Sequence, residues 1–303
     1  MDLDAVIYEL EKIFDKKNIN YNEPMKNHTS FRVGGPADIF IIPEKTWQVI
    51  SAIKLFKEHN IPFFIMGNGT NIVVRDGGFK GAVIKLTSLN NISVEGNKIK
   101  AQSGAFLSNV SMEALKNSLK GMEFASGIPG TVGGAVTMNA GAYGPEIKDV
   151  IESAVLCDYD GNLFCFNRDE LELSYRHSIV QSGNYIVLEA VFALEKGDST
   201  AIRSRMEELN RRRADKQPLN YPSAGSTFKR PEGYFAGKLI EDAGLKGYSI
   251  GGAKVSEKHA GFIINYNNAT AKDIIELIKK VQEIVNEKFG VLLEPEIKII
   301  GEE

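Results

Sequence analysis

Between Ser126 and Gly144 the chain reads SGIPGTVGGAVTMNAGAYG, and no other stretch limits the possible folds as strongly. Gly127, Gly130, Gly133, Gly134, Gly141 and Gly144 fall within eighteen residues. Ordering each costs roughly 0.5–1 kcal/mol relative to Ala, so a chain keeps that many only where backbone must pass close to something. The density predicts no regular element over 125–144. A second cluster, GNGTN at 67–71, directly follows IPFFIM, a short apolar run that reads as a buried strand. Its glycines let main-chain N–H groups converge into a nest for an anion. It fails as a dinucleotide fingerprint, because IVVRDGG continues as strand with no third glycine and no helix. Taken alone, GNGTN reads more readily as a structural turn than as a ligand loop. The clusters lie about sixty residues apart. Together they are expected to hold the two ends of one extended phosphate-bearing ligand.

The remaining composition excludes several classes. Lys+Arg 36 against Asp+Glu 39 leaves a net charge of −3, which rules out a nucleic-acid binder that relies on bulk positive charge. No apolar run approaches the roughly 18–20 residues that cross a bilayer. The start, MDLDAVIYELEK, is acidic rather than a basic leader, so a cytoplasmic location is expected. Two cysteines (Cys157 and Cys165) and scattered histidines (His28, His59, His177 and His259) form no metal-ligand spacing, so no metal is expected.

Periodicity predicts a helix on Leu3, Val6, Ile7, Leu10 and Phe14, a strand in ADIFIIP ended by Pro43, and a helix with Trp47, Ile50, Ile53 and Phe56 or Leu55 on one face. A β-α-β pattern then ends near Leu86. A hairpin over 91–101 and a helix on Phe106, Val110, Leu115 and Leu119 follow. Strands ESAVLCDYDG, NLFCF and NYIVLEAVFAL lead to EKGDST (195–200), a polar break and candidate domain boundary. Beyond it come a basic helix ending RRRADKQP, a helix from Phe235 to Ala243, and strands YSIGGAKV and GFIINY. The last helix begins at a Thr270–Asp273 capping box, carries Ile274, Leu277, Ile278, Val281, Ile284 and Val285 as one stripe, and stops at Gly290.

With these residues in view, GNGTN and SGIPGTVGGAVTMNAGAYG resemble the FAD-binding domain of the vanillyl-alcohol-oxidase type. More narrowly, the chain resembles the UDP-N-acetylenolpyruvoylglucosamine reductase (UDP-N-acetylmuramate dehydrogenase) family. The resemblance runs from HTSFRVGGPAD (28–38) through SYRHS (174–178), AGSTFKRP (224–231) and GKLIEDAGLKG (237–247) to LEPEIKIIG (293–301). It implies an α+β fold: a two-subdomain FAD-binding module over 1–198, split near 87, and a C-terminal α/β substrate-binding domain over 199–303. The last strand, 291–303, is expected to return toward the active site. HSIVQSGNYIVLEAVFAL runs straight back into strand after the arginine motif, which looks like the branch without an inserted tyrosine-bearing loop.

The implied activity is a cytoplasmic FAD-dependent reductase of peptidoglycan precursor synthesis, a step tied to cell shape and division. Hydride passes from NADPH through the flavin to UDP-N-acetylglucosamine enolpyruvate, giving UDP-N-acetylmuramate. The resemblance assigns catalysis to Arg176, Ser226 and Glu296. It assigns FAD binding to Gly67, Asn68, Gly69, Thr70, Asn71, Ser126, Gly127, Ile128, Pro129, Gly130, Gly133, Gly134, Ala140 and Gly141. Substrate contacts fall to Tyr175, Lys216, Arg230 and His259. A monomer is expected, acting on a small-molecule UDP-sugar, with no nucleic-acid or membrane partner. His28 is expected to be structural or a neighbour of FAD rather than a covalent flavin site.

The chemistry suits those residue types. Hydride delivery to an enolpyruvyl methylene builds charge that spreads onto the carboxylate, and a fixed cation stabilises it best. A guanidinium such as that of Arg176 pairs bidentately with a carboxylate and does not deprotonate. The carbon left anionic needs a proton, which the Ser226 hydroxyl could give. Glu296 could donate to the enol oxygen or fix Arg176, and Glu294 is its rival two positions away on the same strand face. Among cations, Arg213, Lys216, Lys229 and Arg230 suit a diphosphate, and Arg211 and Arg212 read as a solvated face. The alternatives are another flavin oxidoreductase of this fold acting on an alcohol or sugar, and a non-catalytic nucleotide-binding regulator.

Overall fold

The computed structural model describes residues 3–303. Met1, Asp2 and the side chains of Leu3 and Asp4 lie outside the described residues, and with them the reading of Leu3 on the stripe of the opening helix. Helix α1 (Leu3–Ile13) buries Val6 and Leu10 along one stripe, with Phe14 just past its end. Strands β1 (Ile19–Pro24) and β2 (Pro36–Ile41), helix α2 (Thr46–Glu58) and strands β3 (Phe63–Met66), β4 (Ile72–Val74) and β5 (Phe79–Lys85) follow. Four of these strands form a sheet in the order β1–β2–β5–β3, with β3 and β5 parallel. The polar run INYNEP gave no sign of β1. On α2 the core stripe is Val49, Ala52, Ile53 and Phe56, whereas Trp47, expected on it, is 51% exposed.

Next come β6 (Ile92–Glu95), β7 (Lys98–Gln102), α3 (Leu107–Lys116), β8 (Leu119–Lys120), α4 (Val132–Thr137), β9 (Ile151–Asp158), β10 (Leu163–Asn167), α5 (Ile179–Ser182), β11 (Tyr185–Ala193) and β12 (Glu195–Lys196). An antiparallel sheet runs β10–β9–β11–β7–β6. Helix α4 overturns the expectation of no regular element in the glycine-rich stretch. Its Gly133 N–H donates to the Ser103 carbonyl at 2.7 Å. A Cβ at 133 would lie 3.0 Å from the Ser103 Cβ, so a larger residue there would push α4 and Ser103 apart. The last third holds α6 (Ser199–Lys216), α7 (Ala236–Asp242), β13 (Ser249–Ile250), β14 (Ala253–Val255), β15 (Ile263–Asn265), α8 (Ala271–Phe289) and β16 (Lys298–Ile300).

The chain packs as two compact units, and neither is one continuous stretch. The first takes the described residues up to Tyr21, then Ile39–Asn68 and Gly81–Arg212. The second takes Asn22–Asp38, Gly69–Lys80 and Arg213–Glu303. A single cut after residue 198 therefore does not describe the packing. Most of α6 stays with the first unit because Ile202 and Met206 bury against Leu115 of α3, and Leu209 joins the core of Val110, Val136 and Phe192. The first unit has a second core around Leu10, Ile39, Phe56, Ile84 and Leu188.

The second unit recruits Phe31, Val33 and Val73 from early in the chain, all nearly inaccessible, into a core with Leu239, Ile263, Leu277 and Val281. Its sheet β13–β14–β15 is antiparallel, and α7 and α8 cover it. Thr270 caps α8 in the expected box, and Gly290 ends it with φ +67°. The Asp76 carboxylate, just after β4, also accepts the N–H groups of Ala271 and Lys272 at 2.9 Å. Strand β16 pairs in parallel with β4, Lys298 opposite Ile72.

Candidate active site

In the first unit the glycine clusters meet. The Asn68 side-chain amide donates to the Pro129 carbonyl at 3.1 Å. A Cβ at Gly67 would lie 2.2 Å from Oγ1 of the buried Thr131. The two clusters therefore touch through these residues. Among the described residues, the N–H groups of Asn68, Gly127 and Gly130 donate to no main-chain carbonyl. Neither loop carries a carboxylate, and Gly134 is exposed, with only the Thr131 hydroxyl within 4 Å of an added Cβ. Main-chain donors with no competing anion fit the pyrophosphate of FAD.

Other glycine-cluster residues have packing duties. Gly141 passes so close to Glu146 that a Cβ would sit 2.6 Å from its Cγ. Ser126 Oγ donates to the Glu123 carbonyl at 2.9 Å, and Ile128 and Ala140 pack against the core. Gly69, Thr70 and Asn71 belong to the second unit. There Gly69 takes φ +65° and its carbonyl accepts the Ser30 N–H at 3.0 Å.

Tyr175 and Arg176 occupy the centre of a tight turn in the first unit, closed by reciprocal main-chain bonds between Ser174 and His177. Arg176 has φ +54°, a left-handed conformation unusual for a residue with a Cβ. Three side chains pin the turn to the end of α4. Gln181 donates to the carbonyls of Arg176 at 3.0 Å and Thr137 at 2.8 Å. Ser178 Oγ also donates to Thr137, and the fully buried Asn139 donates to the Ser174 carbonyl at 3.0 Å. The guanidinium lies 5.1 Å from the centroid of the Tyr175 ring. Sequence reasoning missed Asn139 and Gln181, because an amide that braces a neighbouring loop leaves no periodic trace. One further difference is the short α5, which intervenes before β11 where a direct return to strand was expected.

The second unit brings Ser226 and Glu296 together. Thr227 is buried; its N–H donates to the Gly261 carbonyl and its Oγ1 accepts the Ile263 N–H. Its carbonyl accepts the Glu296 N–H at 2.9 Å, and the Asn71 amide donates to the Glu296 carbonyl at 3.1 Å. Ser226 precedes this frame and is exposed, on a chain turned by Gly225 at φ +75°. The rival carboxylate is engaged elsewhere: Glu294 is 69% exposed and ion-paired with Lys229. The one-face expectation for the two carboxylates lapses, since β16 begins only at Lys298.

Of the candidate cations, Lys216 is exposed at the end of α6. Arg230 donates from Nε to the Tyr234 carbonyl at 3.3 Å, and its guanidinium lies 4.0 Å from the Phe235 ring centroid. His259 is half-buried, accepts the Gly261 N–H at Nδ1 and sets its ring edge-on to Phe262. Burial holds its pKa below the ordinary histidine value, with Lys246 and Lys216 adding to the effect and Glu241 opposing it. His28 bonds Glu23 at 2.9 Å. Burial pushes the Cys157 thiol to about 11, and Cys165 is exposed. Among the described residues no His, Cys, Asp and Glu group could hold a metal, and no helix is long and apolar enough to cross a membrane.

Comparison with known proteins places these features in context. A family model described as UDP-N-acetylenolpyruvoylglucosamine reductase, C-terminal domain, matches residues 217–300, and one described as FAD binding domain matches 37–166. A UDP-N-acetylenolpyruvoylglucosamine reductase of Clostridium novyi is 58% identical over 97% of this chain and 96% of its own. One from Caldanaerobacter subterraneus is 56% identical over 99% of both chains. The solved UDP-N-acetylenolpyruvylglucosamine reductase of Thermus caldophilus superposes with a TM-score of 0.79 at 33% identity, covering 91% of this chain and 97% of that one. A grass pollen allergen with glucose dehydrogenase activity matches 64% of this chain and 44% of its own, with a TM-score of 0.51 at 17% identity, which speaks for a shared fold alone.

Proposed function

The chain belongs to the UDP-N-acetylenolpyruvoylglucosamine reductase family, and from that premise we propose how its own residues divide the work. It is an NADPH-dependent FAD oxidoreductase that reduces UDP-N-acetylglucosamine enolpyruvate to UDP-N-acetylmuramate in peptidoglycan precursor synthesis. Bound FAD supplies the hydride relay between NADPH and the enolpyruvyl double bond. Asn68, Gly127 and Gly130 offer main-chain N–H groups to its pyrophosphate, with Gly67 and Gly134 keeping the approach open. The remaining glycine-cluster residues, Gly69, Thr70 and Asn71 included, are assigned to FAD as well.

Arg176 meets the substrate carboxylate, where charge develops as the double bond is reduced, and its pinned turn means that little reorganisation is needed at that moment. Ser226 gives its proton to the substrate carbon, and Glu296 holds or supplies a proton at the enol oxygen. Tyr175, Lys216, Arg230 and His259 hold the UDP-sugar, Arg230 and Lys216 at the diphosphate. The first unit carries most of the FAD contacts and the second most of the substrate contacts, in a cytoplasmic monomer. The observation that carries this reading is the hydrogen-bond frame of Thr227, Glu296 and Asn71, which sets the Ser226 hydroxyl and the Glu296 carboxyl on adjoining backbone. The test follows NADPH oxidation with and without the UDP-sugar enolpyruvate, in the parent and in Ser226→Ala. Substrate-dependent turnover is expected in the parent, while Ser226→Ala keeps flavin reduction by NADPH and loses at least 100-fold in substrate reduction, the scale of one positioned proton donor. Equal loss of both half-reactions would remove the role given to Ser226.

A further inference from the structure

Phe235 stands at the entrance to α7 with its main chain fixed and its ring outside. Its carbonyl accepts the N–H groups of Lys238 and Leu239 at 3.0 and 3.1 Å, so the residue is ordered with the helix. The ring nevertheless remains 61% exposed, and that of Tyr234 beside it 47%. The helix meets its core through Ala236, Leu239 and Ile240, so the Phe235 ring contributes little to folding. Tyr234 and Phe235 thus place two exposed aromatic residues side by side in the chain, and of the two Phe235 also carries a cation. One face of the Phe235 ring lies under the Arg230 guanidinium.

We propose that the Phe235 ring is the platform on which the uracil of the UDP-sugar stacks, with Arg230 on its opposite face linking that platform to the diphosphate. The proposal rests on the reductase reading above. A pyrimidine and its diphosphate present a flat apolar face and two negative charges within one nucleotide, and this pair of side chains answers both. A cation on one face of an aromatic ring leaves the other face for a base, the stacking mode that aromatic residues use for nucleobases generally.

The test measures UDP binding to the flavin-loaded enzyme by calorimetry, together with the KM for the UDP-sugar enolpyruvate. Phe235→Ala is expected to weaken UDP roughly 5- to 100-fold and to raise that KM in parallel, the range that base stacking on an aromatic ring covers. Flavin content and the rate of flavin reduction by NADPH should stay at parental values, because the ring is mostly exposed. Phe235→Trp should recover tight UDP binding, which a merely structural role would not predict. Parental UDP affinity in Phe235→Ala overturns the platform, as does a Trp variant equally defective. Failure of the underlying reading looks different: there the unsubstituted enzyme oxidises NADPH without any dependence on the UDP-sugar.

Discussion

At Arg176 the backbone conformation and the chemistry pull in different directions. A left-handed φ costs an L-residue such as arginine about 1–2 kcal/mol, a cost that glycine escapes and asparagine partly offsets. The turn holds this conformation because Gln181, Ser178 and Asn139 fix it from outside. Such a conformation persists only where the surrounding structure over-determines it. Arg176→Gly is therefore expected to leave the melting temperature unchanged or raise it, since relief of strain offsets glycine's entropy cost of roughly 0.5–1 kcal/mol. Substrate reduction should be lost in the same variant. A clear fall in melting temperature would show that the guanidinium serves stability instead. The motif SYRHS marked the arginine in the sequence, but the turn was invisible there, because positive φ at a non-glycine residue is imposed by distant partners.

At the scale of elements, regular periodicity was the readable part. Helix α8 formed with the cap, stripe and stop its residues announce, since each of those signals acts within a few positions. Helix α4 was hidden because glycine lowers helix propensity by about 1 kcal/mol, and the approach to Ser103 that overrides this depends on tertiary packing. Trp47 misled the reading of α2 for a related reason: a large apolar residue next to the core stripe need not lie on it. The contact between Gly67 and Thr131 joins two loops that the sequence separates, and it can be tested by a double-mutant cycle. Gly67→Ala is expected to destabilise by about 1–3 kcal/mol through overpacking. In a Thr131→Ala background, where the obstructing hydroxyl is gone, the same change should cost much less, measured by denaturant titration. Additive effects would mean that the two loops do not press on each other.

For the molecule as a whole, composition and motif order indicated two functional bodies, but not how the chain shares itself between them. Segments 22–38 and 69–80 read as parts of an early β-α-β pattern, and nothing local reveals that Phe31, Val33 and Val73 complete a core built mainly from the last ninety residues. A fragment of residues 213–303 is accordingly expected to stay unfolded, with collapsed amide dispersion in its proton NMR spectrum. Native-like dispersion would show that the late segment suffices alone. The parallel pairing of β4 with β16 joins positions more than two hundred apart in the chain. While the molecule refolds from denaturant, the edge formed by Ile72, Val73 and Val74 must wait for that distant arrival, because long-range closure is slow. Three β-branched residues with an open edge are a ready template for a neighbouring chain. Dilution, more than time, thus governs how much native protein such a refolding yields.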